Sequence, residues 1–229
     1  MADRDSFEQH PYSLPAGATE VVLVRHGASA AAVEGVRFPL VDGRSNPPIS
    51  EAGQSQAEAV AERLAGEAIG ALFVSPLRRT HETAAPLAEA TGLEPTVLPD
   101  LAEVFLGAFE GGEYRVRAGR GDPIVKRVFA EQRWDAIPDA ESLEDLGRRV
   151  RAAVERMVAE TGPESTAVAF AHGAVIGELC RQATGSRPFA FVHADNGSIS
   201  RLVVREDGRW LLRSFNDIAH LTVRTGPVG

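Results

Sequence analysis

The hydrophobic pattern of the chain is clearest in a few short runs. Val21-Val-Leu-Val24 is an apolar, mostly β-branched stretch that stops at Arg25-His26-Gly27, and residues 166–171 form a second run that stops at His172-Gly173. Runs this short and continuous predict strands buried on both faces. Residues 71–74 make a third, followed by Ser75-Pro76, and residues 96–98 a shorter fourth. Between them the apolar spacing is helical. Ser50 is an N-cap for a helix to about residue 66, with Ala57, Val60, Ala61 and Leu64 on one face, and a second helix over about 77–90 carries Arg78, Arg79 and His81 in its first turns. Ser142 with Asp145 makes a capping box for a longer helix striped by Leu143, Leu146, Val150, Val154, Met157 and Val158. Val175, Ile176, Leu179 and Cys180 form a further helix face, and residues 198–204 and 209–215 read as a terminal hairpin turned at 205–208. The weaker stretches are an alanine-rich turn of helix after Gly27, a loop over 36–48 too rich in Pro, Gly, Asp and Asn for a regular element, and a helical pattern over 122–134 with irregular flanks.

Strand alternating with helix predicts a three-layer α/β/α fold around a mostly parallel sheet. Residues 1–18 read as a flexible N-terminal arm. Residues 19–229 read as a single domain with a small cap at about 107–140. In such folds ligands gather at the ends of the strands, so the polar residues that close each apolar run are the candidates for chemistry.

Composition changes this picture little. Apolar residues make up 44% and charged residues 24% of the 229, close to the average for globular proteins. The net charge of −8 argues against nucleic-acid or anionic-membrane partners. One cysteine, Cys180, permits no intrachain disulfide and no multi-cysteine zinc site, and fits a cytoplasmic protein. No apolar run has the length of a membrane span, and residues 1–18 hold none suited to a signal peptide. Lys126 is the only lysine and no glycine-rich segment leads into it, so a Walker-type nucleotide loop is excluded. The segment 107–112 lacks dinucleotide spacing and reads as a turn. Oligomeric state is not legible.

Three apolar runs end in Arg25-His26-Gly27, in Ser75 followed by Arg79, and in His172-Gly173. If the strands are parallel neighbours, these ends meet, and two arginines with two histidines make an oxyanion site, because guanidinium forks match phosphate oxygens. Gly27 and Gly173 are placed to let a ligand approach the backbone. A nucleophilic histidine needs one free ring nitrogen and the other held.

At these residues the chain resembles the histidine phosphatases, the phosphoglycerate mutase-like superfamily, along nearly its whole length. Arg25-His26-Gly27 is similar to the family signature, and the resemblance implies that His26 is the nucleophile. Asn46-Pro-Pro-Ile-Ser-Glu-Ala-Gly53 is similar to the segment that leads into the family's first long helix. Ser75-Pro-Leu-Arg-Arg79-Thr-His-Glu-Thr83-Ala resembles a second motif and implies Arg79 as the phosphate-binding arginine. Glu103 stands where the family's proton donor stands, and Ala171-His172-Gly173 matches the second histidine. The implied function is hydrolysis of a small phosphorylated metabolite through a phosphohistidine. Arg25, Arg79 and His172 would hold the phosphoryl oxygens, with no cofactor and no metal. One alternative is a phosphoglycerate mutase, although Val104-Phe105-Leu106 follows Glu103 where mutases resemble one another in an Arg-His-Tyr. The other is a catalytically silent phosphoryl-binding module.

The chain departs from the family pattern at Ala32, where an asparagine near the phosphate is usual; Arg37 or Arg44 is the expected substitute. In the cap, Tyr114, Arg115, Arg117, Arg120, Lys126 and Arg127 suggest an anionic substrate. Arg78 and His81 read as exposed helix positions, His10 and His220 as inert, and Cys180 as core. His193 is left open.

Overall fold

The computed structural model describes residues 8–224, so the first seven residues of the expected arm lie outside the described residues. Residues 8–18 form no helix or strand, but Tyr12 lies against the Arg213 guanidinium and Ala18 is buried. The elements that follow are β1 (Thr19–Arg25), β2 (Leu40–Val41), β3 (Arg44–Ser45), α1 (Glu51–Leu64), β4 (Ile69–Val74), α2 (Arg78–Thr91) and β5 (Thr96–Val97). After them come α3 (Glu113–Gly119), α4 (Pro123–Glu131), α5 (Leu143–Thr161), β6 (Thr166–Ala171), α6 (Gly173–Thr184), β7 (Ile199–Val204) and β8 (Trp210–Asp217). Among the described residues no helix is long and apolar enough to cross a membrane.

Six strands make one sheet in the order β5-β4-β6-β1-β7-β8. The pairs β5–β4, β4–β6 and β6–β1 are parallel, and the last hairpin adds β7 and β8 antiparallel on the other side of β1. Along β1 the side chains alternate between two cores. Val22 and Val24 pack with Val60, Leu64 and Leu87 from α1 and α2, and Val21 and Leu23 pack with Val150, Val154 and Leu179 from α5 and α6. Burial on both faces is why β1 and β6 carry unbroken apolar runs. The three-layer α/β/α architecture with a mostly parallel sheet is therefore present.

Two local expectations are corrected and a third is extended. The alanine-rich stretch after Gly27 is not helical, because the Ala30 amide donates to the Pro48 carbonyl at 2.9 Å and the Ala28 carbonyl accepts from Ser50 at 2.7 Å. These tertiary bonds outweigh alanine's helix preference. The loop over 36–48 does contain regular structure. Asp42 and Gly43, both at positive φ (47° and 77°), turn β2 onto β3, which is the Asp-Gly hairpin signal. In the cap, the helix expected over 122–134 is α4, and the unexpected α3 precedes it. Gly119 and Gly121 end α3, and Asp122 caps α4 by accepting from the Ile124 amide at 2.7 Å.

Candidate active site

The parallel register sets Arg25 opposite Ala171, so the next residue on each strand is a histidine. The His26 and His172 rings lie 5.2 Å apart, centroid to centroid. The backbone after β1 is held by side chains from three segments. The Gly27 amide donates to Thr83 Oγ1 at 3.0 Å, Thr83 in turn donates to the Arg79 carbonyl at 2.6 Å, Gln56 Oε1 accepts from the Ala28 amide, and Asn196 Nδ2 donates to the His26 carbonyl at 2.8 Å. Gly27 serves this packing rather than ligand approach, since a Cβ there would stand 2.4 Å from the Gly53 carbonyl oxygen. Gly173 has room for a Cβ, 3.6 Å from the Arg25 guanidinium. Packing against α1 thus accounts for Gly27, while Gly173 lines the cavity described next.

A cavity of about 460 Å³ opens at these strand ends. Arg25, His26, Arg79 and Glu103 line its floor, and all four belong to the site expected from sequence. His26 Nδ1 donates to its neighbour's carbonyl, Gly27 O, at 2.7 Å, and Nε2 makes no hydrogen bond to any described residue. Burial, reinforced by Arg79 and Arg25, holds the His26 pKa well below the usual histidine value, so the ring is neutral at physiological pH. Arg79 is 6% exposed, and burial draws its pKa down to about 10, still fully charged at neutrality. Its Nη1 donates to the Ser45 carbonyl at 2.8 Å, and Arg25 Nη1 donates to the Ala194 carbonyl. The Nε atoms of both arginines are buried and unpartnered. Buried orphan N–H groups are costly, and an oxyanion in the cavity would satisfy them. Burial raises the Glu103 pKa against the opposing pull of its Val104 amide contact, Arg79 and Arg25, which favours the protonated acid.

His172 differs from the other four. It is fully buried beside His26 and does not line the cavity. Its Nε2 shares a hydrogen bond of 2.8 Å with Ser75 Oγ, while Nδ1 has no partner. Burial first, then Arg79, keeps it neutral.

Of the two arginines expected to replace the missing asparagine, Arg37 is exposed, hydrogen-bonds the Glu110 carbonyl and lies outside the cavity wall. Arg44 does line it, but its Nε donates to the Glu103 carbonyl at 2.7 Å and its head lies 3.8 Å from Glu141. Among the cavity-lining cations, Arg115 of α3 contacts the segment just before Ala32. It donates to Ser29 Oγ at 2.6 Å and to the Ala30 carbonyl at 3.0 Å, and it lines the cavity. The anionic reading of the cap is thereby narrowed. Arg117 is paired with Glu113 and Asp122, Arg120 with Glu34, and Arg127 with the Ala136 carbonyl and Glu131, while Lys126 is exposed; none of these four lines the cavity. Tyr114 and Arg115 do. His193 also lines it, stacked on Phe129 at 5.6 Å. Arg78 and His81 are exposed, and Cys180 is buried with its thiol pushed up to about 12.

Sequence reasoning passed over Glu110 and Ser45. Glu110, 5% exposed, accepts from the Ser45 amide at 2.7 Å and from the Leu106 amide, and Ser45 holds Arg79 in turn. The only hint was an acid inside a glycine-rich turn. Asn196 had no signal beyond an Asn-Gly dipeptide.

A neutral, half-tethered imidazole, two desolvated guanidinium groups and a protonation-competent carboxyl around one cavity define the class: an α/β protein built to handle a phosphoryl-like oxyanion. The chain belongs to the family described as the Histidine phosphatase superfamily (branch 1), which it matches over residues 21–218. Among its relatives is the "Probable phosphoglycerate mutase GpmB" of Yersinia enterocolitica, 30% identical over 208 residues, covering 88% of this chain and 94% of that one. The "Bifunctional protein Rv2228c" of Mycobacterium tuberculosis is 34% identical over 89% of this chain, which spans 55% of that longer protein. A similar solved structure is the mycobacterial glucosyl-3-phosphoglycerate phosphatase, with 28% identity, a TM-score of 0.71, and coverage of 87% of this chain and 99% of that one.

Proposed function

We propose that this protein hydrolyses phosphomonoesters through a phosphohistidine at His26 Nε2. The observation that carries the reading is the tether of His26 Nδ1 to Gly27 O, which leaves a neutral Nε2 lone pair at the cavity floor between two desolvated arginines. In the first half-reaction Nε2 attacks phosphorus, the P–O ester bond breaks, and the Glu103 carboxyl gives its proton to the departing alkoxide. In the second, Glu103 takes a proton from water as that oxygen attacks phosphorus. The N–P bond breaks, inorganic phosphate leaves, and Glu103 is again protonated. Arg25 and Arg79 hold the equatorial oxygens as charge spreads over them. His172, with Nε2 engaged by Ser75, offers its Nδ1–H as a further donor and supports the His26 ring. Arg115 supplies the cation that stands in for the absent asparagine side chain at Ala32.

The phosphatase name of the 28% identical structure supports hydrolysis, and the mutase name of the Yersinia relative supports a second reading, in which the phosphoryl group returns to another hydroxyl. One experiment separates them. With chelator present, rapid quenching of an aryl phosphate reaction should trap an acid-labile phosphoenzyme, followed by inorganic phosphate, with both lost in His26→Ala. Equal phosphate release by wild type and His26→Ala would overturn the proposal. Phosphoryl transfer from 3-phosphoglycerate to its other hydroxyl without phosphate release would establish the mutase.

A further inference from the structure

The upper part of the cavity is unlike its floor. Phe129, on α4, is 37% exposed although it belongs to an aromatic cluster, packing edge-on to Phe189 at 5.9 Å and stacked on His193 with 17° between the planes. Trp134 packs on Phe189 at 4.8 Å and meets Tyr114 edge-on at 6.3 Å. Phe129, Trp134, Tyr114 and His193 all line the cavity, so the rings form a continuous wall facing the oxyanion floor. The Tyr114 hydroxyl makes no hydrogen bond to any described residue, and burial with the nearby Glu103 raises its pKa to about 12, so it is a neutral donor. None of the cavity's four arginines stacks on a ring of this wall among the described residues. Arg25 and Arg79 belong to the floor, Arg44 is engaged by the Glu103 carbonyl and Glu141, and Arg115 by Ser29 and Ala30. Besides Glu103, the acids Glu110 and Asp195 line the cavity.

Resting on the hydrolytic reading for its floor, we infer that the aromatic wall is a leaving-group subsite for a flat, uncharged apolar alcohol, so that the preferred substrate is an aryl-bearing phosphomonoester and not one whose alcohol carries a carboxylate. An aromatic leaving group would cover the exposed face of Phe129 and stack within the wall, gaining both buried area and ring contacts. A carboxylated alcohol would set its charge against the rings and share the cavity with the carboxyl groups of Glu110 and Asp195, losing its hydration for little return.

Two arms test this. In the first, non-hydrolysable phosphonates are titrated calorimetrically into wild type and Phe129→Ala, so binding is read without turnover. 2-Naphthylmethylphosphonate should bind about tenfold or more tighter than methylphosphonate, and Phe129→Ala should erase about three- to tenfold of that gap while leaving methylphosphonate affinity unchanged. Equal affinity for the two ligands, or an equal loss for both in the variant, overturns the subsite. In the second arm, kcat/KM is compared for 2-naphthylmethyl phosphate, ethyl phosphate and 3-phosphoglycerate, all alkyl esters, so that leaving-group basicity does not decide the order. A preference for 3-phosphoglycerate overturns the inference. No phosphate release from any of the three, with the naphthyl preference retained in the calorimetry, overturns hydrolysis and leaves the subsite standing.

Discussion

Arg79 and Arg115 reach the same cavity from two different regions. Arg79 stands in the first turn of α2, almost fully buried, with its backbone tied through Thr83 to the segment that carries His26. Arg115 stands on the seven-residue α3 of the cap, exposed, with its head resting on Ser29 and Ala30. The floor works in a desolvated setting where a fixed charge interacts strongly with developing charge, whereas the cap cation is screened by water. On the function proposed above, the two regions divide labour: residues at the strand ends supply the chemistry, and cap-borne residues adjust what the chemistry is applied to.

The largest effect that sharpens this comparison is Arg79→Ala, which should lower kcat/KM about 10²- to 10³-fold by removing one preorganised oxyanion donor. Steady-state kinetics with ethyl phosphate measures it, and a loss under tenfold would break the division between floor and cap. Next comes the pH profile. The lowered His26 pKa means that the nucleophile is lost only when the pH falls through that depressed value; the raised Glu103 pKa means that the general acid is lost as the pH rises through it. The profile of kcat/KM should therefore be bell-shaped, and Glu103→Gln should remove the alkaline limb together with about 10²- to 10⁴-fold of the rate. An unchanged alkaline limb in that variant would assign the proton donor elsewhere. The smallest effect is expected for Arg115→Ala, about three- to tenfold, mostly in KM, and shrinking as salt is raised. A loss equal to that of Arg79→Ala would place the cap arginine on the same footing as the floor.

The two regions also differ in how readily they could be read from sequence. Arg25, His26, Arg79 and His172 were visible because each closes or follows an apolar run, and a strand buried on both faces announces its own end. Glu103 lies in the loop after β5, and its place came from spacing within the family pattern. In the cap the information is of another kind. Six residues, Tyr114, Arg115, Arg117, Arg120, Lys126 and Arg127, looked alike as a polar surface, and only Tyr114 and Arg115 face the cavity. Arg117 is consumed by Glu113 and Asp122, a pairing that depends on how α3 meets the turn before α4. Gly27 illustrates the same limit within the signature itself. A glycine was plainly required, but its reason is the backbone of Gly53 on α1, which no local pattern contains.

By itself the sequence determined the layered α/β architecture, the strand ends that meet, and the identity of the chemical groups placed there, because hydrophobic period and strand termination are local properties. Tertiary structure alone decided that His26 is tethered through Nδ1, that His172 Nε2 is engaged by Ser75, that Glu110 and Ser45 brace Arg79, and that Arg115 reaches Ser29 and Ala30. Each of these depends on contacts between segments tens of residues apart. Side-chain direction, burial and the pKa shifts that follow from burial come into being only when such segments pack.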